Sequence, residues 1–168
     1  VRSYYDTNNR TYGVYYTHGA ATANTGEHID ESGEDTPGSI CPKGWRLPKV
    51  TADPVSHNNN FFWLAMNYIS NTMQWNNNSS WKLPYWQGNS NDDAHNMQMG
   101  TVPNFVYSGV LIAGYGKLSS FSQAGEYWSS TVQNSEKAYR MYIDGCALHP
   151  AGLYNHRNNG ASVRCTLR

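Results

Sequence analysis

The sequence lacks an excess of either charge. Its 168 residues hold 12 Lys and Arg against 12 Asp and Glu, and only 14% of residues are charged. A balanced chain of this kind generates no general field that would draw in nucleic acid or an anionic membrane. Nucleic-acid binding by bulk electrostatics is therefore excluded, and we expect no nucleic-acid partner.

The sequence also lacks long hydrophobic runs and a recognisable leader. No apolar stretch approaches the roughly 20 residues that span a bilayer, so we expect no membrane insertion. The start, VRSYYDTNNR, does not follow the basic, apolar and small-residue order of a signal peptide. We therefore expect a mature or excised piece that forms a single domain over residues 1–168.

Neutral polar and aromatic residues are abundant instead. The chain has 13 Tyr and 6 Trp among many Asn and Ser residues. Disordered chains usually combine few aromatics with high net charge, so this composition favours a folded domain. Tyr, Ser, Gly and Asn are also the residues that antibody binding loops use for contact.

Local patterns predict an α+β fold of mostly short antiparallel strands. SYY and GVYY near the start indicate two strands, and FVYSGVLIAGY, GEYWSST and KAYRMYI indicate others. In the last segment, Ala161, Val163, Cys165 and Leu167 alternate with polar residues, which predicts a strand with one buried face. No alternation of strands and helices suggests a parallel sheet.

One helix is predicted, from about Asn60 to Met73. Its apolar residues recur at helical spacing and should face the core: Phe61, Leu64, Ala65, Tyr68 and Ile69. The next segment, from Gln74 to Asn104, shows neither period, and we interpret it as a long loop or insertion.

Three cysteines, Cys41, Cys146 and Cys165, leave at least one thiol unpaired. A disulfide would imply an oxidising compartment. Composition alone leaves open whether one forms or all three cysteines are reduced.

Several motifs occur in an order typical of one family: ICPKGWRLP, GEYWSSTV, KAYRMYIDG and GASVRCTLR. Over residues 39–168 the chain resembles the C-type-lectin-like domains found as Fibrobacter major paralogous domains, and the related variable proteins of diversity-generating retroelements. The resemblance implies a C-type-lectin-like fold with one clear helix and long loops, and a disulfide between Cys41 and Cys165. It also implies that Trp45, Leu47, Trp128 and Val163 lie in or near the core.

The resemblance further implies a variable region at about residues 132–161. These retroelements mutate template adenines, so diversified Asn codons never yield Gln, Glu, Lys, Met or Trp, and none of these occurs from Tyr142 to Ala161. An ordinary polar loop in a non-diversified paralogue is the alternative. The candidate ligand-binding residues, which we expect to lie mostly exposed on one face, are Asn134, Ser135, Arg140, Asp144, Cys146, His149, Tyr154, Asn155, His156, Asn158 and Asn159.

Candidates for catalysis and metal binding are weak. Ser129, Ser130 and Thr131 follow a Trp on a strand and are interpreted as hydrogen-bonding residues. The calcium-ligand segments of related lectins are missing. The carboxylates of Asp30, Glu31, Glu34 and Asp35 fit a solvated loop better than a calcium site, and Asp92, Asp93 and His95 lack a fourth ligand. We expect no enzyme activity, no cofactor and no metal.

The leading hypothesis is a monomeric ligand-binding module that displays a hypervariable patch on a C-type-lectin scaffold, on a cell surface or virion. Its ligand would be a protein or a glycan. A non-diversified structural or adhesin domain is the alternative. An enzyme of the related formylglycine-generating type is disfavoured, because its active-site cysteine pair has no counterpart here.

Overall fold

The computed structural model describes residues 2–5, 11–25, 38–50, 74–76, 80–82, 106–144 and 147–167. Within these ranges the chain forms mostly short antiparallel strands and very little helix, which confirms the predicted short antiparallel strands. The expected helix from Asn60 to Met73 lies outside them. So do Cys146, the acidic stretch from Asp30 to Asp35, and the group Asp92, Asp93 and His95.

The central feature is a five-stranded sheet with the order β4-β5-β10-β9-β8. Its long members are β8 (Ala124–Val132), β9 (Lys137–Asp144) and β10 (Ala147–His156). Two short strands, β4 (Gln74–Asn76) and β5 (Ser80–Lys82), extend it beyond β10. The interpretation of Gln74 to Asn104 as a loop is wrong for these two strands, since three residues are too few to show a period of two.

Strand β8 is buried along nearly its whole length. One edge pairs with β9. On its other edge, Gly109 donates its backbone N–H to the Ala124 carbonyl at 2.8 Å, and Trp128 donates its own to the Ser162 carbonyl at 3.0 Å. The strand is therefore covered on both edges, and its buried backbone groups are hydrogen-bonded as burial requires.

Smaller elements surround this sheet. Strands β1 (Arg2–Tyr5) and β2 (Thr11–Tyr15) pair with each other and confirm the two predicted N-terminal strands. Helix α1 (His18–Ala21) has four residues, too few to reveal a helical period in the sequence. Strands β6 (Val110–Ile112) and β7 (Lys117–Ser119) form a hairpin.

The main apolar cluster forms around Trp128, which is fully buried with Ala21, Leu47, Ala138 and Ala161. The indole Nε1–H donates to the Tyr16 carbonyl at 2.7 Å, so the one polar atom of the ring is satisfied. The expected burial of Trp128 and Leu47 is confirmed, and Val163 packs against the cluster while partly buried.

A disulfide joins Cys41 to Cys165 across 124 residues of sequence, as the resemblance implied. Beside it, β3 (Trp45–Arg46) pairs with β11 (Thr166–Leu167). The bond therefore links a segment before the central sheet to the residue that precedes the last described strand.

Two expectations about this region are wrong. Trp45 is 41% exposed and Leu167 is 65% exposed, whereas Thr166 is buried. Residues 163–165 do not belong to a strand, so the alternation that starts at Ala161 does not continue into β11. There the side chains of the paired residues Trp45 and Leu167 face outward.

Candidate ligand-binding surface

The predicted variable residues occupy β9, β10 and the turns that flank this pair. Arg140 and Asp144 lie on β9 and are partly buried, as is Asn155 near the end of β10. Asn159, in the turn after β10, is buried at 9% exposure. His149 lies on β10, paired with Tyr142. The exposed members are Asn134, Ser135, Tyr154, His156 and Asn158.

Four residues at one end of the β9–β10 pair form a largely exposed group, which we name the tip patch: Ser135, Lys137, Tyr154 and His156. Tyr154 is 43% exposed, and Lys137 Nζ lies 4.6 Å from the centre of its ring. Lys137 is also paired in register with His156. The patch thus combines an aromatic ring, a cation, an imidazole and a hydroxyl, which suits contact with another molecule.

Asn134 shapes the turn that carries the patch. Its side-chain Oδ1 accepts the backbone N–H groups of Glu136 and Lys137, each at 2.9 Å. The Arg157 guanidinium donates to the Ser135 carbonyl at 3.2 Å, and its backbone N–H donates to the Glu136 carbonyl at 2.8 Å. The turn after β8 and the turn after β10 are therefore fastened to each other.

A buried polar network lies on the same strands. Glu126 on β8 is 4% exposed, and its Oε1 pairs with Arg140 Nη1 at 2.6 Å. Its Oε2 accepts a hydrogen bond from Asn155 Nδ2 at 2.9 Å. Asn159 Nδ2 donates to Asn155 Oδ1 at 2.9 Å, and Asn159 Oδ1 accepts the backbone N–H of Ala113 at 3.1 Å.

The electrostatics of this network are those of charges withdrawn from water. Burial raises the pKa of Glu126, although Arg140 and the hydrogen bond from Asn155 oppose that change. Burial likewise lowers the pKa of Arg140, against the attraction of Glu126. Burial and the neighbouring Asp144 raise the pKa of Tyr142 to about 12. A buried ion pair of this kind depends on both members being present.

The candidate residues do not share one exposed face, which corrects that expectation. Consecutive residues of a strand point to opposite sides of the sheet, so Tyr154 and Asn155 diverge. Tyr154 contacts Lys137 in the tip patch, whereas Asn155 bonds to the buried Glu126. The structure brings Ser135, Tyr154 and His156 together outside and Arg140, Asn155 and Asn159 together inside.

Asn158 lines a separate cleft of about 320 Å³. Leu111, Ile112 and Ala113 supply an aliphatic wall, and Tyr15 and Thr17 of the N-terminal segment also line it. Gly160 permits close packing here, because a Cβ at that position would lie 3.0 Å from the Tyr15 Cβ. The volume is at the lower end of the range for small-molecule sites.

The hydroxyl run on β8 fastens the backbone. Ser129 Oγ donates to the Tyr139 carbonyl at 2.8 Å. Thr131 Oγ1 donates to the Val50 carbonyl at 3.1 Å and accepts the Val50 N–H at 3.0 Å. Ser130 donates its backbone N–H to the Pro48 carbonyl at 2.8 Å. These bonds agree with the hydrogen-bonding interpretation of the run.

Among the residues that the structure describes, no group of three or more His, Cys, Asp or Glu side chains is placed to hold a metal ion. In the same ranges, no helix is both long and apolar enough to cross a membrane.

Sequence reasoning missed Glu126 and Lys137. Glu126 interrupts an otherwise buried strand, AGEYWSSTV, and a carboxylate in such a strand requires a partner. That signal was available in the sequence. Lys137 offers no comparable signal, because its contact with Tyr154 depends on the register of β9 against β10.

Comparison of the chain with protein-family models, with curated proteins and with solved structures finds no match.

Proposed function

We propose that this chain is a ligand-binding module whose tip patch recognises a protein or a glycan on a cell or virus surface. The observation that carries the proposal is Tyr154, a large aromatic residue left 43% exposed with Lys137 Nζ 4.6 Å from the centre of its ring. Ser135 and His156 are exposed at the same end of the strand pair. Tyr, with Trp and Arg, is among the residues that supply much of the energy at binding surfaces. Ser and His around them provide adaptable hydrogen bonds.

The scaffold we propose for this patch is a C-type-lectin-like domain. Supporting features are the Cys41–Cys165 disulfide, the pairing of β3 with β11 and the buried Trp128, all within motifs that resemble that family. A disulfide persists in oxidising compartments, which is compatible with a domain outside the cell. We further propose that it acts as a monomer, without catalysis or a cofactor.

Asn134 is exposed, but its side chain holds the turn after β8. Diversification is therefore proposed only for the other exposed positions: Ser135, Tyr154, His156 and Asn158. Substitutions at exposed sites usually change stability by about 0.5 kcal/mol or less. Replacing a buried residue costs far more, about 2–5 kcal/mol for a large core side chain. A surface that varies can therefore include these positions without unfolding the domain.

A fixed structural or adhesin module is the second candidate, and one observation favours it. Arg140, Asn155 and Asn159 are bound to a buried carboxylate or to one another, so part of the expected variable set is framework. Under this alternative the tip patch has one constant ligand or none.

The test screens the chain against an array of defined oligosaccharides and, in parallel, against a displayed library of protein domains. The variant Ser135→Ala/Tyr154→Ala/His156→Ala removes three patch side chains. The control, Tyr115→Ala/Lys117→Ala, removes exposed side chains from the β6–β7 hairpin, where Tyr115 is 86% exposed.

We expect at least one ligand that binds the native chain and the control variant but does not bind the patch variant. Equal binding by all three proteins would contradict it. So would the absence, in both screens, of any ligand that prefers the native chain over the patch variant.

A further inference from the structure

Glu126 is a charged residue in the middle of the most buried strand of the sheet. Each of its oxygens has a different partner, with Arg140 of β9 on Oε1 and Asn155 of β10 on Oε2. This one carboxylate therefore joins three adjacent strands through side chains. The backbone hydrogen bonds between these strands form without any such side chain.

The bonds that start at Glu126 fix the orientation of two amides in turn. A carboxylate only accepts hydrogen bonds, so Asn155 must present its NH₂ group to it. Asn155 Oδ1 then points away and accepts from Asn159 Nδ2 at 2.9 Å and from the His156 backbone N–H at 2.8 Å. Asn159 in turn directs its Oδ1 to the backbone N–H of Ala113.

We infer that Glu126 is a positioning residue, which sets the conformation of the segment from Asn155 to Asn159 and ties it to the β6–β7 hairpin at Ala113. Arg140, Asn155 and Asn159 belong to this device and do not contact the ligand. For its bearing on recognition the inference rests on the proposed function, because His156 of the tip patch and Asn158 of the cleft lie within the positioned segment. The geometry itself can be tested without any ligand.

An amide cannot replace the carboxylate. In Glu126→Gln, a side chain that directed its amide oxygen to Asn155 would turn its NH₂ group towards the Arg140 guanidinium, donor against donor. If the amide turned over, the same conflict would arise at Asn155. Because the hydrogen bond from a charged guanidinium is the stronger of the two, the amide keeps its oxygen on Arg140. Glu126→Gln therefore loses the link to Asn155, although the side chain keeps its size.

A second substitution removes this conflict. In Glu126→Gln/Arg140→Gln, no guanidinium competes for the amide oxygen at position 126, so that oxygen can accept from Asn155. The pair is neutral, and the bond to Asn155 is kept without a contact between two donors. The double variant is thus a rescue that no generally destabilising role of residue 126 would produce.

The readout is amide hydrogen exchange at Ala113, whose N–H bonds to the side chain at the end of the network. The control amide is Ala161, which donates to the Tyr16 carbonyl at 3.0 Å and does not involve Glu126. Loss of one hydrogen bond changes the equilibrium between the closed and the exchange-competent open state by about tenfold. We expect Glu126→Gln to speed exchange at Ala113 by about tenfold relative to Ala161, and the double variant to restore it.

Unchanged exchange at Ala113 in Glu126→Gln would overturn the inference, as would equal acceleration at Ala113 and Ala161 or a double variant without rescue. If Glu126→Gln does not fold, Asn155→Ala breaks the same series of hydrogen bonds and leaves the Glu126–Arg140 ion pair intact. Exchange at Ala113 as slow as in the native protein would then overturn the inference. Failure of the tip patch to bind a ligand leaves these results unaffected, so the two proposals fail separately.

Discussion

The imidazole of His18 is fully buried against Trp128, with ring centres 5.4 Å apart. Nε2 lies 3.2 Å from the Ser129 carbonyl, which assigns the proton to Nε2, and Nδ1 has no hydrogen-bond partner among the described residues. Burial, with the nearby charge of Arg157, lowers the pKa of His18 to about 4. The folded state therefore favours the neutral ring.

This shift predicts how stability depends on pH. Well above pH 6.5 the ring is neutral in both the folded and the unfolded protein, and the folded state has its full stability. Between pH 6.5 and about 4 only the unfolded chain takes up the proton, so stability falls as the pH falls. The shift in pKa corresponds to about 3 kcal/mol. Relative to His18→Gln, native stability in urea unfolding should decrease by about that amount from about pH 7 to about pH 4. A constant difference between the two proteins would contradict the assignment.

Single residues also show where sequence reasoning stops. Arg140, Asn155 and Asn159 are hydrophilic, and hydrophilic residues mostly lie outside, so the sequence favours exposure. Their burial depends on a carboxylate that comes from another strand, Glu126. The register of the strands, rather than the amino-acid composition, determines which polar residues contact each other. That register depends on pairing over the whole sheet.

Among the elements, the β6–β7 hairpin depends on Gly109, whose φ is +68°. A Cβ there would meet the Ser119 carbonyl oxygen and lie 2.8 Å from the Phe121 nitrogen. Gly44 has a φ of +85° with no atom within 4 Å of such a Cβ. Gly44→Ala should therefore lower the free energy of unfolding only by the cost of a left-handed backbone at alanine, about 1 kcal/mol.

Gly109→Ala adds a clash with backbone and should cost about 3 kcal/mol in total. Thermal unfolding of the two variants side by side measures the difference. Equal melting temperatures would mean that the hairpin does not pack against Gly109 as described.

The elements that could be predicted are those with their own signal. GEYWSST and KAYRMYI each hold two aromatic residues and one β-branched residue, and they form the bulk of β8 and β9. Strands β4 and β5 have three residues each, and α1 has four. Elements this short carry no periodicity, and long-range pairing determines them.

At the scale of the whole molecule, the disulfide is a covalent constraint between distant parts of the described chain. Its ends are 124 residues apart in sequence, while β3 and β11 contribute only two residues each to the ladder beside it. Closing such a long loop reduces the conformational entropy of the unfolded chain, which raises the free energy of unfolding by about 5 kcal/mol. Cys41→Ser/Cys165→Ser should lose most of that stability, and reductant should lower the melting temperature of the native chain but not of the variant. An identical response of both proteins to reductant would refute this role.

The proposed recognition surface and the framework that holds it consist of different residues. The most direct test is a scan of all single substitutions for resistance to protease in a displayed library, which reports folding without a ligand. Ser135, Tyr154, His156 and Asn158 should accept nearly every residue, whereas Glu126, Arg140, Asn155 and Asn159 should accept few. Equal tolerance in the two sets, or greater tolerance at Arg140 and Asn155 than at Tyr154 and His156, would contradict the account.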